Sequence, residues 1–146
     1  MKPSYSLACN IAQTLNLVGE KWTLLILHQL FLGNNTYNSL LESLEGIPSN
    51  LLSQRLKCLE KASLVRCELY QEHPPRYRYL LTPRAQDLEG VLFSLALWGQ
   101  KHIKTCPNVL VHRECGGTVE VRYHCYHCGK TVDGSQLQRK AATGRE

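Results

Sequence analysis

Several motifs that would indicate an enzyme, a secreted protein or a membrane protein are missing from this 146-residue chain. It has no glycine-rich phosphate-binding loop, no Gly-x-Ser-x-Gly nucleophile elbow and no His-Glu-x-x-His sequence. Residues 1–8 are too short for the apolar core of a secretory signal. The longest apolar segment, Trp22–Leu32, is too short to span a bilayer. These absences predict a cytoplasmic protein with no membrane partner and no catalytic activity.

Acidic residues are also scarce, with 12 Asp and Glu against 17 Lys and Arg, for a net charge of +5. The excess is local. Residues 48–84 carry seven Lys or Arg against three Glu, a net +4, whereas residues 1–47 carry two Lys against three Glu, a net −1. A concentrated positive charge favours an anionic partner that lies against residues 48–84.

The polar stripe of one predicted helix contains no carboxylate. Pro48 excludes helix before it, and Ser49 is predicted to be the N-cap. Leucines 52, 56 and 59 form an apolar stripe at helical spacing. The opposite stripe consists of amides, a hydroxyl and two cations: Asn50, Ser53, Gln54, Lys57 and Lys61. Solvated faces usually mix charges of both signs, whereas these groups can bond base edges and phosphates.

A pattern of period two follows this helix and predicts two strands. The first run alternates from Val65 to Tyr70, and the second covers Arg76–Leu81 after a break at residues 71–75. A helix followed by a hairpin with a basic edge is the organisation of a winged helix-turn-helix. The predicted fold class is therefore mainly α with a small β-wing. Arg76 and Arg78 become candidate DNA contacts, while Arg55 either bonds phosphate or holds the helix through an internal salt bridge.

Helices are also predicted at residues 6–18, at 20–32 and after Thr36, which is predicted to be the N-cap of a third helix with Tyr37 directed inward. The second of these helices is predicted to be buried, with His28 as a hydrogen-bonded core histidine. Thr82-Pro83 then places an N-cap and a proline at the start of a last helix that runs to about residue 101. The side chains of Phe93, Leu97 and Trp98 give this last helix more apolar surface than a lone domain needs. This surplus predicts a homodimer through the first and last helices, with plain core packing as the alternative.

Seven cysteines in a chain without a secretory segment indicate metal or redox use. Two pairs with a two-residue spacer, each followed by glycine, are His112 with Cys115 and Cys125 with Cys128. Such pairs predict one tetrahedral, structural Zn²⁺ site in a zinc-ribbon-like hairpin over residues 106–133. Substitute ligands are Cys106, His124 and His127, and the alternative is a metal-free hairpin. Residues 1–105 are then the winged-helix domain, and residues 134–146 a polar, flexible tail.

Cys9 opens the first predicted helix, where the helix dipole favours the thiolate form of a cysteine. This position predicts a redox-sensing thiol, and a small buried thiol is the alternative. Cys58 and Cys67 are instead predicted to pack against the core.

Several stretches together resemble the HxlR-type winged-helix transcriptional regulators, over about residues 9–102. The matching stretches are G-E-K-W-T-L-L-I-L (19–27), G-I-P-S-N-L-L-S-Q-R-L-K-C-L (46–59), H-P-P-R-Y-R-Y (73–79), L-T-P (81–83) and L-W-G (97–99). Their order and spacing are those of the family, which makes the resemblance specific.

The resemblance implies a transcriptional regulator, a repressor more than an activator, that binds double-stranded DNA as a homodimer at a palindromic operator. The implied DNA-binding residues are Ser49, Asn50, Ser53, Gln54, Arg55, Lys57, Lys61, Arg76 and Arg78. A family cysteine at the place of Cys9 can sense oxidants or electrophiles, which implies an oxidant or small-molecule effector. Two alternatives stay open: a zinc-ribbon protein-interaction module, and a thiol sensor whose DNA binding is secondary.

Overall fold

The structure is a computed structural model that describes residues 4–105 and 107–140, so Cys106 and the end of the predicted tail lie outside the described residues. Its contacts divide the chain between Leu92 and Phe93 into two units. The elements are α1 (Asn10–Val18), α2 (Thr23–Phe31), α3 (Tyr37–Ser43), α4 (Ser49–Lys61), β1 (Val65–Gln71), β2 (Arg76–Leu81), α5 (Pro83–Gln86), α6 (Glu89–His102), β3 (Tyr123–His124), β4 (Thr131–Val132) and a 3₁₀ turn (Gly134–Gln136). This mainly helical architecture with small antiparallel pairs confirms the predicted fold class.

The core of the first unit lies between α2, α3, α4 and the start of the hairpin. Its buried apolar side chains are Val18, Ile26, Leu27, Leu30, Leu40, Leu44, Ile47, Leu52, Leu56, Leu59, Leu64, Val65 and Ala85. The predicted leucine stripe of α4 is therefore confirmed as its inner face. Burying a leucine of this kind stabilises the fold by about 1.5–3 kcal/mol, so three of them hold α4 firmly in place.

Three predicted helix starts are wrong. Helix α1 begins at Asn10 rather than at residue 6. Pro48, and not Ser49, is the N-cap of α4, because the Pro48 carbonyl already accepts the amides of Leu51 and Leu52, both at 3.0 Å. The Ser49 side chain makes no capping hydrogen bond. Helix α2 begins at Thr23 rather than residue 20, because Trp22 adopts a left-handed backbone with a φ of +79°.

The connection from α3 to α4 follows the predicted helix-turn-helix. Thr36 caps α3 as predicted, through a capping box in which its hydroxyl accepts the Ser39 amide and the Ser39 hydroxyl accepts the Thr36 amide. Gly46, with a φ of +85°, then makes the tight turn into α4. Both features are local, so residues at the turn itself set the angle at which α4 leaves it.

The hairpin is an antiparallel pair in which Val65 lies opposite Leu81 and Cys67 opposite Tyr79, with a shift in register between Leu69 and Gln71. A third segment joins its outer strand. Thr36 forms an isolated bridge with Arg78, and the Tyr79 amide donates to the Asn35 carbonyl at 2.7 Å. The hairpin is thereby hydrogen-bonded to the residues that start α3, which ties the wing to the helix-turn-helix.

The single last helix predicted after the wing is two helices in the structure, α5 and α6. The start was predicted correctly, since the Thr82 side chain accepts the Ala85 amide and Pro83 follows at the first helical position. Asp87 and Leu88 then form a turn before α6 begins. Helix α6 buries none of its residues within the described part of this chain.

Two further expectations about burial are wrong. His28 is exposed on α2 rather than set in the core, and Cys58 is exposed on α4 rather than packed. In each case the residue lies on the outer side of a helix whose opposite side contributes to the core. None of the helices in the described part of the chain is long and apolar enough to cross a membrane.

Candidate functional site

The outer face of α4 is a set of exposed polar side chains, as its sequence pattern predicts. Its exposed members among the predicted DNA contacts are Ser49, Asn50, Gln54, Lys57 and Lys61. Gln54, Lys57 and Lys61 make no hydrogen bond or ion pair with any residue in the described part of the chain. Their donor and acceptor groups are thus available to a partner molecule.

Two predicted members of this face make hydrogen bonds within the protein: Asn50, whose Oδ1 accepts the Leu51 amide at 2.9 Å, and Ser53. The Ser53 hydroxyl is half-buried and lies 3.2 Å from the Ser49 carbonyl oxygen and 3.3 Å from the Tyr37 hydroxyl. The Tyr37 hydroxyl in turn donates to the Ser49 carbonyl at 2.7 Å. These contacts join the start of α3 to the first turn of α4, and so they orient the exposed face.

Sequence reasoning missed Tyr37, which it placed only as an inward-facing residue of the third helix. Its role depends on a contact across the helix-turn-helix, and the phenolic hydroxyl reaches a backbone carbonyl that the sequence pattern does not mark. The available signal was the position of a tyrosine directly after the Thr36 N-cap, near the turn that leads into α4.

Arg55 makes the internal salt bridge that was one of its two predicted roles. Its guanidinium donates to the Glu20 carboxylate at 2.7 Å and to the Lys21 carbonyl at 3.3 Å. The Arg55 and Glu20 side chains are only 17% and 30% exposed, so solvent screens this pair less than it screens a surface pair. Arg55 therefore anchors α4 to the segment that precedes α2.

The two arginines of the second wing strand differ in their surroundings. Arg78 donates to the Glu68 carboxylate across the hairpin at 3.1 Å, and Arg66 pairs with the same carboxylate. Arg76, at the start of β2, is exposed and makes no ion pair with a described residue. The wing thus presents the Arg76 guanidinium beside a small charge network.

The predicted metal ligands form two turns with the same local geometry in the second unit. Within one turn the His112 Nδ1 lies 3.1 Å from the Cys115 sulfur. Within the other, backbone amides of Cys128 and His127 donate to the Cys125 sulfur and lower the pKa of that thiol. Over residues 4–105 and 107–140, no three His, Cys, Asp or Glu side chains lie close enough together to hold a metal ion.

The run between these turns does not form the single connecting hairpin that the pattern predicted. Each turn instead closes its own small antiparallel pair, Val111 opposite Thr118 and His124 opposite Thr131. The first residues of the predicted tail, Gly134–Gln136, form a 3₁₀ turn whose N-cap is Asp133.

The candidate redox thiol, Cys9, is the N-cap residue of α1 and is half-buried. Cys67 is also half-buried, and its burial together with the nearby Glu60 carboxylate raises the pKa of its thiol. The described cysteines therefore differ in their exposure and in the charges near them.

Comparison with known proteins matches the chain to the HxlR-like helix-turn-helix family over residues 17–107, which is more than half of its length. A curated HTH-type transcriptional regulator of Mycobacterium tuberculosis is 33% identical over 138 residues, which cover 92% of this chain and 87% of the relative. The HTH-type regulator YtcD of Bacillus subtilis is 31% identical over 102 residues, with 70% of this chain and 79% of the relative covered.

Solved structures of regulators are also similar to the chain. PA1374, assigned as a transcription factor of Pseudomonas aeruginosa, is 30% identical with a TM-score of 0.71, and the match covers 94% of this chain and 95% of that one. The redox regulator HypR in its oxidised form is 27% identical with a TM-score of 0.60, covering 64% of this chain and 96% of that one. The chain therefore belongs to the HxlR-like helix-turn-helix family of DNA-binding transcriptional regulators, and it is not an enzyme.

Proposed function

We propose that α4 is the recognition helix and reads base edges in the major groove of an operator, through Asn50 and Gln54, while the cations of α4 and the wing hold the backbone. The observation that carries this is the exposed, carboxylate-free face of α4, with Gln54, Lys57 and Lys61 uncommitted within the described protein. At 13 residues, α4 is about 20 Å long and suits a groove about 12 Å wide.

The roles on this face divide by chemistry. The amides of Asn50 and Gln54 can pair with adenine in two hydrogen bonds and so carry sequence information. The charges of Lys57, Lys61 and Arg76 suit phosphates, which fix register but carry no base identity. The wing arginines are expected to meet flanking backbone or minor groove. Regulation then follows from occupancy, and repression by blocking polymerase is the favoured outcome.

The proposed DNA-binding species is a homodimer. Its support is the apolar surface of α6, where Phe93 is 47% exposed and Trp98 is 60% exposed. Helix α1 adds exposed Ile11 and Leu15. Apolar patches of this kind on a monomer mark interaction surfaces. A two-fold dimer presents two copies of α4 and so matches a palindromic operator, in the cytoplasm where chromosomal DNA lies.

Cys9 is proposed as a redox-responsive thiol of this regulator. Two observations favour it: its place at the start of α1, and the similarity of the chain to structures of the redox regulator HypR in oxidised and reduced forms, at 27% and 26% identity. Native alkylation should modify Cys9 faster than Cys67, whose thiol pKa is raised by burial. A mild oxidant should change operator affinity, and Cys9→Ser should abolish that change. Equal alkylation rates at both thiols would assign Cys9 to packing.

Selection of bound duplexes from a random pool tests the DNA-binding proposal. We expect an inverted repeat whose half-sites are centred about 10 base pairs, or a multiple of that, apart, because two recognition helices related by two-fold symmetry enter successive major grooves. Gln54→Ala should select a relaxed sequence at one position of each half-site. A pool that shows no enrichment, or enrichment unaffected by Gln54→Ala and Asn50→Ala, contradicts the assigned face.

A further inference from the structure

The second unit contains two turns whose residue spacing and backbone geometry are the same. In one turn the His112 amide donates to the Gly117 carbonyl at 2.8 Å, and in the other the Cys125 amide donates to the Lys130 carbonyl at 2.9 Å. The carbonyls of His112 and Cys125 each accept a glycine amide four residues later, both at 2.8 Å.

The glycines and the flanking pairs repeat as well. Gly116 and Gly129 both have a φ of +68°, a conformation that a residue with a Cβ rarely adopts. Val111, which precedes the first turn, pairs with Thr118, and His124, which precedes the second turn, pairs with Thr131. Two separate stretches of sequence therefore adopt the same turn conformation. In each, the turn brings together the side chains at its first and fourth positions.

The separations within the turns suit two ligands of one ion. A nitrogen and a sulfur bound tetrahedrally to Zn²⁺ lie about 3.5 Å apart, given bond lengths of about 2.0 and 2.3 Å. The His112 nitrogen and the Cys115 sulfur are 3.1 Å apart, which is close to that separation. Cys125 and Cys128 occupy the same first and fourth positions of the second turn, whose backbone hydrogen bonds match those of the first. Each turn thus presents a preformed pair.

Apolar packing does not explain why these turns hold their shape. None of residues 107–140 is fully buried, and Val111, Val119, Val121 and Tyr123 are exposed. A segment with no buried core needs another source of folding free energy, and metal coordination is the usual one for small domains with paired Cys and His ligands.

We propose that one structural Zn²⁺ ion joins the two turns, held by His112 and Cys115 from the first and by Cys125 and Cys128 from the second. The ion brings together two pairs that the protein backbone prepares separately. Thiolate and imidazole ligands suit zinc, and four protein ligands leave no position open, so the ion supports the fold and does no chemistry. The site goes beyond the DNA-binding proposal, because it uses no residue of α4 or the wing.

Elemental analysis of the full-length protein, purified under reducing conditions without chelator, tests the site. We expect about one zinc per chain. Replacing the zinc with cobalt should give a protein with the intense visible absorption of a tetrahedral cobalt–thiolate complex. Cys125→Ser and Cys128→Ser should abolish stoichiometric binding, and His112→Ala should weaken it. The matched control Cys58→Ser changes an exposed thiol on α4 and should retain the metal.

Hydrogen exchange gives a second readout that does not require the variants to fold. Adding a chelator to the wild-type protein should speed exchange of the Cys125 and Gly129 amides while α2 and α4 keep their protection. Less than about half an equivalent of zinc with all thiols reduced would overturn the site, given the 1:1 stoichiometry of a single tetrahedral centre. A Cys125–Cys128 disulfide in place of metal would also overturn it. Either result leaves the DNA-binding test unaffected.

Discussion

Arg55 has one of the more constrained side chains on the recognition helix, and its constraint comes from inside the protein. Its side chain is 17% exposed, and its guanidinium is bonded to a carboxylate and a carbonyl, so fixed partners replace much of its hydration. Charge-assisted hydrogen bonds of this kind contribute more than neutral ones. The residue therefore bears first on the stability of the helix and on its position.

Removing this anchor should lower the free energy of unfolding. We expect Arg55→Ala to cost about 1–3 kcal/mol, between the values for exposed and buried ion pairs. In a double-mutant cycle with Glu20→Gln, denaturant unfolding should give a coupling energy of about 0.5–3 kcal/mol. Arg76→Ala is the matched control, because that arginine is exposed and unpaired within the described protein. Independent, additive effects of Arg55 and Glu20 would refute the anchor.

Lys57 and Gln54 lie on the same face of α4, but truncating each side chain should affect DNA binding differently. Lys57→Ala should weaken binding to every duplex and reduce the slope of log affinity against log salt by about one unit for each phosphate that the lysine neutralises. Gln54→Ala should leave that slope unchanged and reduce discrimination at one base pair by about 1–3 kcal/mol. Affinities at several salt concentrations, for the operator and a point-substituted operator, separate the two. Identical profiles for both variants would mean that the roles are wrongly divided.

At the scale of elements, the sequence predicted the structural features that are encoded by local residue patterns. The leucine stripe of α4, the strand β1 and the Thr36 cap are each encoded in a few neighbouring residues, and the structure has all three. The predicted alternation along β1 is only partly present, because Leu69 is exposed. Helix boundaries escaped prediction. The left-handed Trp22 shortens α2, the Pro48 carbonyl takes the place assigned to Ser49, and the break at Asp87 divides the last helix. No local pattern in the sequence distinguishes these positions from the continuous helices first predicted.

The hydroxyl oxygen of Tyr37 links the two helices of the DNA-binding motif, so removing this one atom should alter how they are held together. Tyr37→Phe removes the hydroxyl that donates to the Ser49 carbonyl at 2.7 Å and keeps the ring. We expect a small loss of stability, about 0.5–1.5 kcal/mol, and a larger fractional loss of operator affinity than of nonspecific affinity. The reason is that α4 keeps its charge but loses one constraint on its orientation. Tyr77→Phe, an exposed tyrosine on the wing, is the control. A uniform loss for all duplexes would contradict an orienting role.

At the scale of the whole molecule, the first unit buries an apolar core, whereas α6 buries no side chain within the described part of the chain. Thirteen apolar side chains form the core cluster, yet this 14-residue helix contributes none of them. The sequence indicated the surplus from Phe93, Leu97 and Trp98, but it could not say what covers that surface, because a partner chain leaves no pattern of its own. The metal ligands are a similar case: residue spacing predicts the pairs, while occupancy remains a prediction.

Charge placed on α6 should separate dimerisation from folding. Phe93→Glu should give monomers in sedimentation at micromolar concentration, because burying an unpaired carboxylate in an apolar interface is costly. Such monomers should lose far more affinity for the operator than for nonspecific DNA. Val109→Glu changes an exposed apolar residue outside α6 and should leave the dimer intact. Wild-type protein that sediments as a monomer at that concentration would exclude the dimer.

The central claim is sequence-specific, electrostatically assisted DNA binding by α4 and the wing, and salt dependence on matched duplexes tests it most directly. The measurement is the affinity of the wild-type protein for a selected operator and for a scrambled duplex of equal length, over a range of salt concentrations. If Lys57, Lys61, Arg76 and Arg78 of both protomers meet phosphates, the log–log slope should be about −7, since each contact contributes about −0.9. The operator should bind at least about 10³-fold more tightly than the scrambled duplex at physiological salt. Equal affinities for the two duplexes, or a slope near zero, would contradict the account.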